Sequence, residues 1–519
     1  MKNTFYSFLI IFSLPVSAFS QEGFFTWSAG SSEFNMAFMD IEVMPDHSVV
    51  AIVKADGRGY GGVFLQADGE LVSLGLGDGG TGIIRFSPEG EVLWFKTVGD
   101  YYGGVYQVEK NAEGEIVVLA NVEMNDEYTY QYEEYGDEEE EDYEGEEYEG
   151  EDYDDEEGLE EEDEPEEIYL GGLPAFGLEG VDAGCHIIHL GLDGAVRRDV
   201  FVPVLEDVII TECHFRAYVN GQYLLAGTGD ADLLSKRLNI IQRGDMDEWV
   251  MAIDGEGELL WGDMIFYRES GGYIVGGRDI TFAPDGTVYY AGTYPYGATF
   301  SNGQQILVSV NYEELQKGYE HFEGFVVSYS PKGKINWVKT DGTTSFMGAI
   351  AAIDEGVFVS HRTARNKLFG QIVDTTAFKN TGISFLNQKG ETQWALMTGI
   401  DKIEAMRIDP QGNAIMLGTF RERSGFFQNT GKIGTFTLPE KHESFLATLS
   451  PDGVVQWVKS GDLWIATQNE PFVLAIDGDD SLFIAGMMWV SLPFEINRLD
   501  ASLPALKAAG GVAIIGRVR

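Results

Sequence analysis

Five residues of the types that bind zinc lie near one another in the sequence: Cys185, His186, His189, Cys213 and His214. Zinc ligands converge on one ion within a few ångströms. The local pattern predicts an extended strand, in which Cys185 and His189 share a face but lie about 13 Å apart, while His186 points to the other face. We therefore interpret these five as ordinary strand residues and assign no metal site.

Cys185 and Cys213 are the two cysteines of the chain. A disulfide between them is compatible with an exported protein. The strand pattern of the chain, however, places them on an outer and an inner strand of neighbouring units, which favours free thiols. The sequence leaves the question open.

An acidic segment at about 125–167 departs most strongly from average composition. Between Asp126 and Glu167 there are 27 Asp and Glu residues and no Lys or Arg. Such a segment repels itself and cannot build a core. Seven tyrosines from Tyr128 to Tyr153 are interleaved with the acids. Two interpretations stay open: a disordered solvating loop, which we favour, and a segment that binds Ca²⁺ weakly at several carboxylates or docks to a basic partner.

Catalytic signatures are missing. The turn sequence LSPDGVVQW, from Leu449, is close to the Ser-x-Asp-x-Gly-x-Thr-Trp box of sialidases, but its glycine comes one residue early and Gln456 replaces threonine. No Gly-x-Ser-x-Gly elbow, HExxH pair or Walker loop occurs. We therefore assign no catalytic, cofactor-binding or metal-binding residues. We expect no enzyme activity and no cofactor beyond weak Ca²⁺ binding at the acidic segment.

The net charge limits the class of partner. It is −51 for the whole chain, and outside the acidic segment 58 acidic residues still oppose 34 basic ones. Because binding to phosphate needs a basic surface, we expect no nucleic-acid partner. We expect a protein or glycan ligand, or Ca²⁺, and a monomeric protein.

A glycine followed four residues later by tryptophan recurs along the chain and predicts a repeated hairpin. A sixth copy, with Gly23 and Trp27, stands near the start, and in GLDGAVRRD the equivalent position is Arg198. An aromatic side chain on an outer strand is typical of packing between repeats. The five clear pairs are Gly90/Trp94, Gly257/Trp261, Gly333/Trp337, Gly390/Trp394 and Gly453/Trp457.

A second repeat alternates with the first: a short apolar strand, a turn such as Pro-Asp-Gly, and a strand that ends in Gly-Thr or a relative. Seven such pairs can be counted, for example those that begin at Asp279 and Met406. Together the two patterns predict units of four antiparallel strands. We predict an all-β, seven-bladed β-propeller whose ring closes by pairing of residues 512–518 with the strand that contains Phe24 to Trp27.

These motifs resemble the bacterial β-propeller repeats called SBBP, with their "dG-x-x-x-W … dG-n-x-y-x-x-G" rhythm. They are more distantly similar to pyrroloquinoline-quinone-type propellers. The resemblance covers nearly the whole chain after its first residues and implies the fold. It implies no particular activity, since fold and function are separable.

Residues 1–20 are predicted to be a signal peptide, with Lys2, an apolar stretch and a small-x-small site at Ala18 to Ser20. Residues 21–519 then form a single propeller domain of a secreted, periplasmic or cell-surface protein, with a bacterial type of signal. No later segment is long and apolar enough to span a membrane.

The connections between second and third strands are long and variable, and they are predicted to lie on one face. Since function in such scaffolds concentrates on long loops, we predict an exported non-enzymatic binding or scaffold protein that presents a loop-rich acidic face. The alternative is a propeller enzyme, a hydrolase, lyase or quinone-dependent oxidoreductase, with its site at the central pore.

Overall fold

The computed structural model describes residues 25–31, 36–55, 63–65, 71–73, 80–98, 104–122, 184–205, 213–229, 232–238, 247–267, 279–294, 297–301, 303–307, 323–363, 367–369, 371–372, 381–398, 400, 402–419, 444–461, 473–477, 481–495 and 507–518. The predicted signal peptide and the acidic segment lie outside these residues. Strands dominate the described part, as the alternating apolar pattern predicts.

The first eleven strands are β1 (Phe25–Ser31), β2 (Met36–Val43), β3 (Val49–Ala55), β4 (Val63–Leu65), β5 (Leu71–Ser73), β6 (Thr81–Phe86), β7 (Val92–Val98), β8 (Gly104–Lys110), β9 (Ile116–Val122), β10 (Gly184–Leu190) and β11 (Val196–Phe201). The next ten are β12 (His214–Ala217), β13 (Tyr223–Gly229), β14 (Asp247–Ile253), β15 (Leu259–Tyr267), β16 (Asp279–Phe282), β17 (Val288–Tyr294), β18 (Gly297–Phe300), β19 (Gln305–Leu307), β20 (Glu323–Tyr329) and β21 (Ile335–Ile353).

The remaining strands are β22 (Gly356–Thr363), β23 (Lys367–Leu368), β24 (Gln371–Ile372), β25 (Thr381–Asn387), β26 (Thr392–Thr398), β27 (Lys402–Ile408), β28 (Ala414–Thr419), β29 (Ser444–Leu449), β30 (Val455–Gly461), β31 (Val473–Ile476), β32 (Leu482–Glu495) and β33 (Lys507–Val518). One α-helix, α1 (Asp232–Leu238), and two 3₁₀ turns, Pro203–Leu205 and Val219–Gly221, complete the described elements. None of the described helices is long and apolar enough to cross a membrane.

The four-strand repeat is an antiparallel meander. Repeat one is β2-β3-β6-β7, repeat two β8-β9-β10-β11, repeat three β12-β13-β14-β15, and repeat six β27-β28-β29-β30. Repeat four (β16-β17-β20) and repeat five (β22-β25-β26) share β21 within a single seven-stranded sheet. Repeat seven is β31-β32-β33-β1, so it combines both ends of the described chain. The fold is an all-β β-propeller with four-stranded antiparallel blades.

The prediction of seven separate blades is wrong as a count of sheets, because the described residues form six sheets of four or more strands. The reason lies in β21, which runs without a break from the last strand of repeat four into the first strand of repeat five. Thr344 still pairs with Glu323 of β20, and the next residue, Ser345, already pairs with Thr363 of β22. No proline or tight turn interrupts the strand at this point.

The two ends of the described chain pair with each other, as predicted. Strand β1 lies antiparallel to β33, with Phe25 opposite Val518 and Gly30 opposite Ile514. The first strands of consecutive repeats also contact one another, and β31 of repeat seven contacts both β27 and β2. Apolar side chains of repeats one and seven share one core cluster, which includes Phe38 and Phe483.

The long connections between second and third strands carry secondary structure of their own. The hairpin β4–β5 adds to β1, and the hairpin β18–β19 adds to β15, so each extends the sheet of the preceding repeat to six strands. Helix α1 packs on β15, with Leu234 and Leu238 near Gly262. The short hairpin β23–β24 lies in the same connection of repeat five.

The tryptophans pack between repeats, as predicted. A Cβ added to Gly333, which has a φ of 74°, would lie 2.5 Å from the Trp261 ring of the preceding repeat. The indole nitrogens of Trp94, Trp337 and Trp394 donate to a turn carbonyl of the next repeat, at 2.8, 2.8 and 2.7 Å. The side chains of Trp94 and Trp337 are half-buried, and that of Trp394 is buried.

Arg198 takes over this role in the repeat that lacks tryptophan. Its guanidinium donates to the carbonyl of Gly255, in the equivalent turn of repeat three, and lies 2.7 Å from Glu256. The contact between the outer strand and the next turn is therefore kept with a different donor.

Candidate functional site

In each repeat the strand pairing aligns four residues, one on each strand, in a row that ends on the fourth strand in a tryptophan or, in repeat two, in Arg198. In repeat one this row runs from Glu42 through Val50 and Arg85 to Trp94. Side chains in one row lie on the same face of a sheet. At the inner end of this row the seven repeats place Glu42, Glu109, Arg216, Thr281, Ala351, Arg407 and Ala475.

Four of these seven residues are charged, and three more charged residues lie beside them on first strands. We call this group the acid–arginine cluster: Asp40, Glu42, Glu109, Lys110, Arg216, Asp279 and Arg407. Because first strands of consecutive repeats contact one another, their side chains can reach the next repeat.

Arg216 is the best-connected cation of the cluster. Its guanidinium lies 3.2 Å from Glu109 Oε1 of the preceding repeat and 2.9 Å from Asp279 Oδ1 of the following repeat. The side chains of Arg216, Glu109 and Asp279 are 14 %, 17 % and 10 % exposed, so solvent reaches them in part. In repeat one, Glu42 lies 3.2 Å from the ammonium group of Lys110.

Two aspartates of the cluster also join the backbones of neighbouring repeats. Asp40 Oδ2 accepts a hydrogen bond from the N–H of Val108 at 3.0 Å, and Asp279 Oδ2 accepts one from Ile350 at 3.1 Å. Gln107 does the same for the N–H of Phe215. The uncharged Gln107 side chain accepts the same kind of hydrogen bond as the two aspartates. This contact between repeats therefore requires a hydrogen-bond acceptor but no charge.

Burial raises the pKa of three carboxyl groups of the cluster, those of Asp40, Glu42 and Glu109. It raises the pKa of Glu109 to about 8, although Arg216 opposes the shift. It also raises the pKa of Asp40 and of Glu42, which Arg407 and Lys110, respectively, most strongly oppose. The Glu109 carboxyl group therefore takes up a proton at higher pH than an exposed glutamate does, even beside Arg216.

Arg407 stands apart from the other cations. It lies on β27 of repeat six, which contacts β31 (Val473–Ile476) of repeat seven, a strand without charged residues. Its guanidinium donates to the Met406 carbonyl at 3.0 Å and lies within 4.0 Å of no carboxylate of the described residues. Its positive charge nevertheless lowers the pKa of Asp40, Glu42 and Glu109 against the effect of burial.

A second group contains a serine, a histidine and an aspartate in the sequence of contacts found in a catalytic triad, but solvent does not reach it. Ser384 Oγ lies 3.5 Å from His361 Nε2, and His361 Nδ1 lies 3.5 Å from Asp341 Oδ2. All three residues are at most 1 % exposed, and His361 Nδ1 makes no hydrogen bond. Because a substrate cannot reach the hydroxyl, we assign no catalysis to this group.

A third group holds carboxylates against tyrosines, in two cases between repeats three and four and in one case within repeat four. Tyr290 donates to Glu248 at 2.8 Å, Tyr294 donates to Glu323 at 2.8 Å, and Tyr329 donates to Asp263 at 2.9 Å. We call these the tyrosine–carboxylate pairs. All six residues are at most 2 % exposed. Burial raises the pKa of Asp263 and of all three tyrosines.

The structure separates the five residues that the sequence analysis weighed as zinc ligands. His186 Nδ1 lies 2.9 Å from Asp199, whereas His189 Nδ1 lies 3.1 Å from Glu115 and its Nε2 lies 2.8 Å from the Tyr223 hydroxyl. Among the described residues no set of three His, Cys, Asp or Glu side chains is arranged to hold a metal ion.

Cys185 and Cys213 are free thiols in one apolar cluster of repeats two and three. Burial raises the pKa of both, which keeps the thiols protonated. They therefore behave as small apolar side chains.

The acidic segment lies outside the described residues, but the strands that flank it are defined. Val122 at the end of β9 pairs with Gly184 at the start of β10. The segment therefore enters and leaves at the same end of the sheet of repeat two.

The sequence analysis missed the acid–arginine cluster. The repeated sequence pattern that contains the tryptophans also contains these residues. In each row the first-strand residue aligns with a tryptophan or with Arg198 on the fourth strand. Reading that row inward would have found Glu42, Glu109, Arg216 and Arg407.

No protein-family model and no curated protein matches this sequence. Solved structures show low similarity. The Dos1 propeller matches 95 % of this chain and 94 % of its own, at 8 % identity and a TM-score of 0.39. Virginiamycin B lyase from Staphylococcus aureus matches 93 % and 99 %, at 8 % identity and a TM-score of 0.35. A Bacteroides caccae protein of unknown function matches 46 % of this chain and 61 % of its own, at 11 % identity and a TM-score of 0.22. The assignment of the fold rests on the strand order and not on these similarities.

Proposed function

We propose that this chain is an exported, SBBP-type propeller of seven blades closed into a ring, and that it works by binding a partner and not by catalysis. Two observations support the ring: β1 pairs with β33, and β31 contacts the first strands of repeats six and one. In this proposal the halves of the seven-stranded sheet count as two blades.

The binding surface is the end of the sheets from which the connections between second and third strands emerge. The observation that carries this proposal is that four of these connections build their own elements, namely β4–β5, α1, β18–β19 and β23–β24. Two of them are anchored by pairing to the sheet of the preceding repeat. Loops held by rigid strands in this way are the common location of recognition.

The partner that suits this face is a basic protein. The acidic segment, with its 27 carboxylates, is inserted in the same type of connection, between the paired residues Val122 and Gly184. A concentrated negative charge attracts basic surfaces and accelerates their association, most strongly at low ionic strength.

The first experiment compares three proteins: the intact chain, a variant with residues 126–167 replaced by a short Gly/Ser bridge, and a same-length variant with every acid of the segment changed to Asn or Gln. Since the flanking strands pair directly, we expect all three to melt within a few degrees of one another. Cross-linking in the native exported fraction, read by mass spectrometry, should identify a basic protein with the intact chain alone.

The neutralised variant is the matched control for length and flexibility. If it captures the same protein as the intact chain at equal yield, charge recognition by the segment is wrong. Calorimetric titration with Ca²⁺ of the same three proteins tests the cation hypothesis, because equal uptake by all three would leave the segment without a cation role.

A central enzymatic site is the second candidate, and one observation favours it. Glu109 combines a pKa of about 8 with partial exposure and a neighbouring guanidinium, which is the combination expected of a general acid. Hydrolysis or elimination of a screened ester, glycoside or peptide substrate that is lost in Glu109→Gln would establish this function in place of binding alone.

A further inference from the structure

One repeated position on the first strands lies two residues before the inner end of each row, and we call it the acceptor position. Asp40 holds it in repeat one and Gln107 in repeat two, and each accepts a hydrogen bond from a backbone N–H of the next repeat. The residues at the acceptor position, in chain order, are Asp40, Gln107, His214, Asp279, Ala349, Ala405 and Val473.

The two aspartates show how a carboxylate binds at the acceptor position. Asp279 Oδ1 accepts the N–H of Ile280 on its own strand at 2.9 Å, and Oδ2 accepts the N–H of Ile350 in the next repeat at 3.1 Å. Asp40 makes the same two kinds of contact, each at 3.0 Å. The Arg216 guanidinium also lies 2.9 Å from Asp279. A carboxylate at this position therefore bridges backbone donors of two neighbouring strands, in one case beside a guanidinium.

Repeat six has an alanine at the acceptor position but the same local backbone as repeat one. The pairing register shifts between Ile403 and Ala405, just as it shifts between Phe38 and Asp40. Ala405 and Asp40 are both buried. The two strands therefore follow the same course at this point, and repeat six differs in lacking the carboxylate.

The two N–H groups that a carboxylate would bind here belong to Met406 and Leu474, which are the equivalents of Ile280 and Ile350. The Met406 carbonyl accepts a hydrogen bond from Arg407 at 3.0 Å on the open edge of its sheet, and the N–H of a residue in an antiparallel strand points to the same side as its carbonyl. The alanines and the valine at the acceptor positions of repeats five to seven offer no side-chain acceptor. Met406 and Leu474 are at most 1 % exposed, and buried N–H groups are normally hydrogen-bonded.

The charges around Ala405 favour a negative ligand. The Arg407 guanidinium lies on the same edge as the Met406 N–H, and within the described part of the chain no carboxylate lies within 4.0 Å of it. The carboxylate of Glu404, on the same strand, is paired with Lys402 at 2.6 Å. Strand β31, which has no charged residue, contacts both β27 and β2 and lies between this position and the carboxylates of β2.

We propose that the acceptor position of repeat six binds a small carboxylate, between the N–H groups of Met406 and Leu474 and next to the Arg407 guanidinium. The carboxylate of the ligand takes the place that the Asp279 side chain fills in repeat four. It satisfies two buried donors and forms a charge-assisted hydrogen bond with the guanidinium. The site lies on first strands and uses no residue of the acidic segment.

The experiment is titration of the full chain with acetate at pH 7 and constant ionic strength, followed by saturation-transfer NMR of the ligand. Acetamide, which has a similar shape but no charge, is the control ligand. We expect saturable binding of acetate that is tighter than that of acetamide by about tenfold or more. Melting in acetate should also occur at a higher temperature than in an equal concentration of chloride, because the site exists in the folded protein alone.

Two variants and one control assign the residues. Ala405→Asp supplies the carboxylate from the chain itself, as Asp279 does, and should abolish acetate binding. Arg407→Gln should weaken acetate binding by about tenfold or more. Gln393→Glu is the matched control, because it adds the same charge at an exposed position of β26 and should leave acetate binding unchanged. Thermal melts show whether each variant is folded.

Four results would overturn the proposal: no saturable binding of acetate at millimolar concentration, equal affinity for acetamide, or unchanged acetate affinity in either folded Ala405→Asp or folded Arg407→Gln. If Ala405→Asp does not fold, Arg407→Gln and the comparison with acetamide decide. None of these results bears on the proposed binding of a basic protein, which is measured with the acidic segment.

Discussion

The acid–arginine cluster and the tyrosine–carboxylate pairs both hold carboxylates in the propeller, but the groups that bind these carboxylates differ. In the cluster the partners are guanidinium and ammonium groups, and the side chains that form ion pairs are 10–33 % exposed. In the pairs the partners are phenol hydroxyls, and exposure does not exceed 2 %. Phenol hydroxyls satisfy these buried carboxylates by hydrogen bonds, without a cation that would have to be desolvated.

This difference separates a structural role from a role in recognition. A fully buried pair can stabilise the packing of strands within and between repeats three and four, but it cannot meet a ligand. The cluster can do both, since its aspartates hold backbone N–H groups while Glu42, Glu109 and Arg407 keep part of their surface in solvent. Accessible charge, and not the number of acids, marks the candidate site.

The largest loss of stability should come from a substitution in the tyrosine–carboxylate pairs. Asp263 accepts hydrogen bonds from Tyr329 and from the hydroxyl and the N–H of Ser301. Asp263→Ala leaves the buried Tyr329 hydroxyl without its acceptor and should lower the free energy of unfolding by about 3 kcal/mol. Asp263→Asn keeps an acceptor and should cost about 1–2 kcal/mol. Urea unfolding measures both.

Asp193→Ala is the control for this pair of variants, because the Asp193 side chain is 60 % exposed and its loss should be nearly neutral. If Asp263→Ala were as mild as Asp193→Ala, the tyrosine–carboxylate pairs would not differ energetically from surface carboxylates, and the contrast between the two regions would fail.

A smaller loss is expected in the cluster. Arg216→Met introduces an apolar side chain of similar length and removes two ion pairs. It should lower the free energy of unfolding by about 2 kcal/mol. In the double variant with Glu109→Gln the loss should be smaller than the sum of the two single losses, because both changes remove the same interaction. Strict additivity in urea unfolding would show that Arg216 and Glu109 are not coupled.

The last effect is a dependence on pH. Burial raises the pKa of Glu109 in the folded protein to about 8 from the ordinary value of 4.5. Between these pH values the folded protein binds more protons than the unfolded chain, so the contribution of Glu109 to the free energy of unfolding should fall as pH rises. Urea midpoints at pH 5, 7 and 9 should show Glu109→Gln gaining stability relative to the parent with rising pH.

The parent protein at the same three pH values is the reference, since carboxyl groups remote from Glu109 contribute equally to both curves. A constant difference between the curves would mean that Glu109 ionises as an exposed glutamate does. The cluster would then resemble ordinary surface ion pairs more than a partly desolvated site.

Much of the fold could be read from local patterns. The turn at Gly333 requires a positive φ, and Trp337 four residues later fixes the phase of the strand that follows. Such signals depend on a few adjacent residues, so they predicted the hairpins and the pairing of the chain ends. They did not predict that β21 would run through two repeats, because that depends on continued pairing at Thr344 and Ser345 with two different strands.

Those local patterns do not predict the candidate site. Arg216 and Glu109 are 107 residues apart in sequence and meet only because consecutive first strands lie side by side. The same arrangement leaves Arg407 beside an apolar strand. The sequence by itself determined the strands, their turns and the position of the packing aromatics, since local sterics and side-chain alternation specify these. Only the tertiary structure decided which charges meet and which are buried, because both depend on neighbours that chain folding, and not sequence proximity, supplies.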